Sequence, residues 1–260
     1  MVQQLETDVY YPDSDGQPMG ETDRHRDLLF ALVFALTQHF APHPDVYVTG
    51  NLFIYYVRGD PNKNISPDVC VVFGSPQRPR NTYQVWRDGP FPQMVIELAS
   101  ASTRTRDLGP KRAVYEGLGV LEYYIFDPHA EAEETTAPTA AGELHYYQRA
   151  SAEMPWGPRR RARGETPVYS GLLGLGLSVR GQDLRFVDET TGALLPTPAE
   201  EAAGRRQEAA ARRHEAAGRR REAAARRREA AARQAAEARA QALAEEVARL
   251  RARLDQDGDA

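Results

Sequence analysis

Two acidic residues and one lysine have the types and positions of a catalytic set. Asp68 follows Pro67 at the start of an apolar run, and Glu97 lies near the end of another. Lys111 follows Glu97 by 14 residues, in a chain with only one other lysine, Lys63. Each acid lies in a segment suited to a buried strand, where a carboxylate without a partner is costly. Because a cation would relieve that cost, the pattern indicates a metal-dependent phosphodiesterase.

Mg²⁺ or Mn²⁺ is the cofactor that this set of residues predicts. Both are hard cations that prefer carboxylate, carbonyl and water oxygens. Asp68 and Glu97 are the predicted metal ligands, and the main-chain carbonyl of Leu98 is a third. In phosphodiester hydrolysis the metal acidifies a water and polarises the phosphate. Lys111 is predicted to position that water or to stabilise the added negative charge.

Each of these residues also has an interpretation without catalysis. Asp68 can cap a turn after Pro67, and Glu97 can be the salt-bridged end of a strand. Lys111 can be a solvated helix residue, and Asp107 is predicted to cap the helix that contains it. The occurrence of two acids and a lysine in this order favours the site.

The apolar pattern predicts an α/β fold. A helix is expected to begin near residues 22–23 and to end before Pro42. The Gly50-Asn51 step suits a hairpin, and residues 75–92 are predicted to form a long surface excursion. Strands are predicted at residues 46–49, 52–57, 69–73, 94–98 and 122–126, with weaker patterns at 144–148, 175–179 and 184–187.

Residues 94–98 are apolar except for Glu97, which is typical of a central strand covered on both faces. A helix of about three turns is predicted to follow and to end at Gly119. It contains Lys111 and Tyr115 and leads to the strand at 122–126. The order strand, helix, strand favours a right-handed parallel crossover.

Four segments carry a family resemblance: Pro67-Asp68-Val69, Ile96 to Thr103, Asp107 to Tyr115 and Gly119 to Pro128. Together they resemble the PD-(D/E)xK nuclease superfamily, and within it the Uma-two family of putative restriction endonucleases. The resemblance implies a restriction-endonuclease-like mixed central sheet flanked by helices, a DNA substrate and a divalent cation. The superfamily's usual lysine position holds Ala99, whereas the Uma-two pattern places the lysine in the following helix, as Lys111 is.

The resemblance further implies an auxiliary acid on or before the first helix, as a metal ligand or as a group that orients water. Glu21 is the candidate, and His25 would face the same side of an early-starting helix. Arg104 and Arg106 are candidates for contacts with the nucleic-acid backbone. The cluster Arg159-Arg160-Arg161 with Arg163 has the same potential role, with a solvated loop as the alternative.

Composition divides the 260 residues into two regions. Residues 199–260 carry 15 arginines against 12 acidic residues, a net charge of +3, which leaves −7 for residues 1–198. An acidic body does not suggest a broad basic footprint for nucleic acid. The single cysteine, Cys70, excludes an intrachain disulfide and fits a reducing compartment. With no leader pattern and no long apolar segment, the sequence predicts a cytoplasmic protein without a membrane partner.

The C-terminal region repeats every seven residues from Glu201, and each glutamate precedes an arginine by four positions, which stabilises a helix. Only Leu243, Val247, Leu250 and Leu254 have coiled-coil spacing. We expect a nuclease domain at 1–198 and a long helical or coiled-coil tail at 199–260, which is a candidate surface for homo-oligomer formation.

Three functions agree with these patterns. A Mg²⁺-dependent endonuclease acting on DNA is the leading hypothesis. The alternatives are a nuclease-like module that binds nucleic acid without cleavage, and a coiled-coil assembly protein. The sequence has no Gly-x-Ser-x-Gly elbow, no Walker loop and no zinc-ligand set, which disfavours other enzyme classes.

Overall fold

The structure, a computed structural model, describes residues 9–14, 22–100, 103–130 and 142–258, with side chains as far as residue 249. The chain divides into two units, Met1–Ala199 and Glu200–Ala260. The helices are α1 (Asp23–His39), α2 (Val85–Asp88), α3 (Arg104–Leu108), α4 (Pro110–Gly117) and α5 (Pro198–Gly258). The strands are β1 (Val46–Thr49), β2 (Ile54–Tyr55), β3 (Asn64–Ile65), β4 (Val69–Phe73), β5 (Tyr83–Gln84), β6 (Met94–Leu98), β7 (Glu122–Asp127), β8 (Glu143–Gln148), β9 (Arg160–Ala162), β10 (Val168–Ser170), β11 (Leu175–Arg180) and β12 (Asp183–Asp188).

A six-stranded sheet in the order β1-β4-β6-β7-β8-β9 forms the centre of the first unit. Its strands β6 and β7 are parallel, and its other neighbouring pairs are antiparallel. Parallel neighbours need a crossover connection, and α3 and α4 lie on it. The predicted α/β fold with a mixed central sheet is therefore confirmed.

Two hydrophobic clusters lie on the two faces of this sheet, as the alternating side chains of β6 show. Ile96 packs in one cluster with Leu32 of α1 and with residues of β11 and β12. Val95 packs in the other cluster with Tyr115 of α4. Side chains two residues apart on a strand share a face. Glu97 is therefore on the face of the sheet that packs against α4, where its side chain is buried.

The hairpin predicted at Gly50-Asn51 is wrong. β1 pairs with β4, whereas β2 pairs with β3 and β5 in a separate sheet. The main-chain N of Asn51 donates to the carbonyl of Pro67 at 3.0 Å, and a Cβ on Gly50 would lie only 2.3 Å from the carbonyl oxygen of Asp68. The glycine lets the chain pass close to the start of β4. The strand predicted at 52–57 is accordingly limited to Ile54–Tyr55.

Two further predictions differ from the structure between β4 and β7. The single helix predicted after β6 is two helices, because Pro110 lacks an N–H donor and occupies the first turn of α4. The surface excursion predicted at 75–92 contains β5, where Tyr83 is fully buried. Its middle therefore belongs to the core.

The helix α5 contains 61 residues, which confirms the predicted long C-terminal helix. Alanine has the highest helix propensity, and glutamate and arginine four positions apart add ion pairs. Arg205 Nε lies 3.0 Å from Glu201 Oε1, and Arg233 Nε lies 3.1 Å from Glu237 Oε1. Within the described ranges, no helix has the length and apolar character needed to cross a membrane.

Candidate active site

Asp68 connects the start of β4 to the end of β6. Its Oδ2 accepts a hydrogen bond from the main-chain N of Leu98 at 2.7 Å, and its Oδ1 lies 3.7 Å from Nε2 of His25 on α1. Burial alone would raise the pKa of Asp68. The nearby His25, the hydrogen bond from Leu98 and the charge of Lys111 outweigh burial and lower this pKa. Asp68 is therefore an ionised carboxylate between the start of β4 and the end of β6.

Glu97 lies on the α4 face of β6 and is fully buried. Its Oε1 accepts a hydrogen bond from the hydroxyl of Tyr115 at 2.6 Å, and its Oε2 lies 2.9 Å from Nζ of Lys111. Burial, and next the charge of Asp68, raise the pKa of Glu97 to about 8, although Lys111 and Tyr115 oppose the shift. The charge of Asp68 thus disfavours the ionised form of Glu97 in a site with little solvent.

Lys111 lies on the first turn of α4, and its side chain is 15% exposed. Its Nζ lies between two carboxylates, 2.9 Å from Glu97 and 3.1 Å from Asp107. Burial lowers the pKa of Lys111, but the charges of Glu97 and Asp107 outweigh it and raise the pKa above its ordinary value. The structure therefore brings together Asp68, Glu97 and Lys111, which are far apart in the sequence.

Two residues to which the sequence assigned no catalytic role also belong to this cluster. Asp107 was predicted to cap a helix, and this is wrong, since it lies inside α3, is almost fully buried and pairs with Lys111. Tyr115 holds Glu97. The signal that could have found them is helical spacing, because Asp107, Lys111 and Tyr115 follow one another at four-residue intervals.

The remaining predicted site residues have different outcomes. Glu21 lies outside the described residues, so its role stays a prediction. His25 lies beside Asp68, on the first turn of α1, which begins at Asp23. Leu98 contributes its main-chain N to Asp68, and its carbonyl as a metal ligand stays a prediction.

The donors at this site fit a hard divalent cation. A fully buried glutamate whose pKa is raised by burial and by a second carboxylate is a group that an added positive charge stabilises. Mg²⁺ typically takes only one or two protein carboxylates and keeps several waters. Among the residues that the structure describes, no group of three or more His, Cys, Asp or Glu side chains is arranged to hold a metal. Asp68 and Glu97 supply two carboxylates, which is the number that Mg²⁺ typically takes.

One protein family matches this chain along most of its first unit. A model of the Uma2 family, described as putative restriction endonuclease, matches residues 2–158. This match spans more than half of the chain, so the chain is a member of the Uma2 family. The resemblance predicted from the motifs is confirmed.

Among solved structures, the chain is similar to a putative nuclease belonging to DUF820 from Anabaena variabilis. The two are 15% identical, the alignment covers 62% of this chain and 80% of that chain, and the TM-score is 0.45. No curated protein matches the chain.

Proposed function

We propose that this protein is an endonuclease that hydrolyses phosphodiester bonds of DNA with Mg²⁺ or Mn²⁺. The observation that supports this most is the meeting of Asp68, Glu97 and Lys111 at one end of the central sheet, where each comes from a different element. Membership of the Uma2 family supports a nuclease. We further propose that it acts in the cytoplasm and associates with itself through α5.

Asp68 and Glu97 would hold the metal ion, with the carbonyl of Leu98 as an additional ligand. When bound, the ion would polarise the scissile phosphate and acidify the attacking water. The hydrogen bond from Leu98 N fixes the orientation of Asp68, and the hydroxyl of Tyr115 fixes that of Glu97. Such partners of ligating groups commonly tune metal affinity and activity. Both carboxylates are therefore oriented before substrate arrives.

Lys111 would supply a fixed positive charge to the reacting phosphate. Because Glu97 and Asp107 raise its pKa, it stays protonated at neutral pH and acts through its charge rather than as a base. Asp107 holds its Nζ from the α3 side, at 3.1 Å. Charges fixed in advance in a partly dry site stabilise developing negative charge without reorganisation.

Binding of nucleic acid without cleavage is the second candidate. The ion pair between Lys111 and Glu97 favours it, since Lys111 already supplies a positive charge to the buried carboxylate. The two candidates differ in one measurable result: only the endonuclease breaks the DNA strand.

The experiment that tests the proposal is cleavage of supercoiled plasmid over a titration of Mg²⁺ and Mn²⁺. We expect cleavage to require the metal and to stop with EDTA. Lys111→Met should reduce the rate on the order of 10²-fold, as loss of one charge-stabilising group does. Lys63→Met changes the only other lysine, an exposed one, and should cleave as the wild type does.

Cleavage that persists in EDTA, or equal rates for Lys111→Met and the wild type, would contradict the proposed mechanism. Wild-type protein that binds DNA but leaves it intact at every metal concentration would establish the second candidate. Thermal denaturation of both variants checks that a lost rate does not come from lost folding.

A further inference from the structure

One row of residues crosses the central sheet from the proposed active site to its edge. Glu97 of β6 is paired in register with Ile125, Ile125 with His145, and His145 with Arg161 of β9. Residues in register on neighbouring strands point to the same face. Arg161 is therefore level with Glu97 on the same face, three strand spacings or roughly 14 Å away.

A buried acid holds two exposed arginines at the β9 end of this row. Glu143 of β8 is almost fully buried, and its Oε1 lies 3.7 Å from Nη1 of Arg161 and 3.3 Å from Nε of Arg163. The side chains of Arg161 and Arg163 are 52% and 38% exposed. Each guanidinium therefore contacts this buried carboxylate while part of its side chain is exposed.

Between this pair and the active site lies a third arginine, whose side chain is 38% exposed and pairs with a buried acid. Arg104 of α3 pairs with Asp127, whose neighbour in register on β8 is Glu143. Beside the pair, Glu143, Arg161, Ala162 and Arg163 line a shallow cavity of about 350 Å³. The row thus places three arginines on one line that leads to Glu97, in a unit that is acidic overall in sequence.

We propose that Arg161 and Arg163 bind the phosphate backbone of the DNA strand whose scissile phosphate lies at Glu97, with Arg104 between them. This inference rests on the proposed function and adds a substrate-binding surface to it. Arginine matches phosphate oxygens with two parallel hydrogen bonds.

Arginines on β9 have a competing explanation, because β9 is an edge strand and charged side chains prevent pairing between sheet edges. Arg160 separates the two explanations. It is an exposed arginine in the same strand, but it alternates with Arg161 and so lies on the opposite face. Protection of the edge would involve Arg160 as much as Arg161, whereas binding of phosphate would involve only the face that carries Glu97.

The test is fluorescence anisotropy of a labelled DNA duplex over a range of salt concentrations, with Ca²⁺ replacing Mg²⁺ so that binding is measured apart from cleavage. The double variant Arg161→Gln/Arg163→Gln should bind at least about 10-fold more weakly. Its slope of log K against log salt should be smaller by about 1.8, since each lost phosphate contact removes about 0.9. Arg160→Gln should keep the wild-type affinity and slope.

The variant Arg161→Lys/Arg163→Lys keeps both charges and should recover most of the salt dependence, which separates lost charge from damage around Glu143. The inference is overturned if the double glutamine variant has the affinity and slope of Arg160→Gln while the wild type binds and cleaves DNA. In that case the proposed function stands and the arginines protect the edge. A wild type that neither binds nor cleaves DNA would reject both.

Discussion

Two buried glutamates on neighbouring strands, Glu97 of β6 and Glu122 of β7, differ in what surrounds them. Burial raises the pKa of both. Glu97 lies against the charges of Lys111 and Asp68. Glu122 instead accepts hydrogen bonds from hydroxyl groups, one from Tyr124 at 2.9 Å and one from Ser170. One acid is in a cluster of charges, and the other is held by neutral donors.

This difference shows that burial of an acid does not by itself indicate a catalytic site. Neutral donors satisfy Glu122 and join β7 to β10, which is a structural role. The register pairs Glu122 with Met94, so it lies at the opposite end of the β6 and β7 pair from Glu97. A second carboxylate and a lysine beside a buried acid are what distinguish Glu97 as a candidate for metal binding.

The largest expected effect comes from Glu97→Ala, which removes a proposed metal ligand. Since the metal supplies several kcal/mol of charge stabilisation, we expect the rate of plasmid cleavage to fall on the order of 10³-fold. Glu122→Gln removes another buried acid and should leave the rate unchanged. It should lower the free energy of unfolding by roughly 1–3 kcal/mol, because a buried hydrogen-bonding group loses its partners.

Cleavage rates and urea denaturation of the two variants check this pair of expectations. If Glu122→Gln lost cleavage while remaining folded, the assignment of the site to the Glu97 end would be wrong. If Glu97→Ala cleaved normally, both the site and the proposed function would fall.

A smaller effect is expected on the pH dependence of stability in EDTA. The pKa of Glu97 is raised from 4.5 to about 8 in the folded protein, so the folded state binds more protons than the unfolded state between these values. Stability from this group is complete below pH 4.5 and is lost as the pH rises towards 8. Wild-type protein should lose up to about 1.4 kcal/mol per pH unit relative to Glu97→Gln in this window.

Urea denaturation of wild type, Glu97→Gln and Glu122→Gln at several pH values between 5 and 8 measures this loss. The pKa of Glu122 is also raised, mainly by burial, so Glu122→Gln should change the slope in the same direction. The charge of Asp68 adds to burial in raising the pKa of Glu97, so the change should be smaller for Glu122. If the free energy of unfolding depended on pH in the same way for wild type and Glu97→Gln, Glu97 would already be ionised when the metal is absent.

Much of the fold was predictable because the burial pattern is visible in the sequence. The run Met94–Leu98 interrupted only by Glu97 gave the central strand, and the alanine-rich repeats gave α5. The hairpin at Gly50-Asn51 was not predictable, since the glycine serves a close approach to the carbonyl of Asp68, a contact between distant residues. Local turn signals do not contain that information.

Three residues of the candidate site were predictable, but its other members and the contacts among them were not. Asp68, Glu97 and Lys111 were identified from their residue types and order. Asp107 was missed because an acid near a helix start usually caps the helix, and only its burial beside Lys111 shows otherwise. The surroundings that distinguish Glu97 from Glu122 depend on strand register, which the sequence of either strand alone does not fix.

The smallest effect on cleavage is expected from removal of residues 199–260. In the part of α5 whose side chains are described, Leu243 and Val247 are 61% and 43% exposed, and the sequence continues the same spacing at Leu250 and Leu254. These positions form a short apolar seam, on a helix whose earlier repeats offer mainly alanine. Deletion should therefore convert an oligomer to a monomer, measured by light scattering, and leave the cleavage rate unchanged.

Leu243→Glu/Val247→Glu in the full chain should have the same effect on mass, because charges in the seam repel across the interface. Ala224→Glu places the same charge at an exposed alanine of the earlier repeats and should leave the mass unchanged. If the deletion and the double variant keep the wild-type mass, α5 does not join copies of the chain. A lost cleavage rate in a well-folded deletion variant would instead make α5 part of the nuclease, and the contrast between Glu97 and Glu122 would no longer describe the whole site.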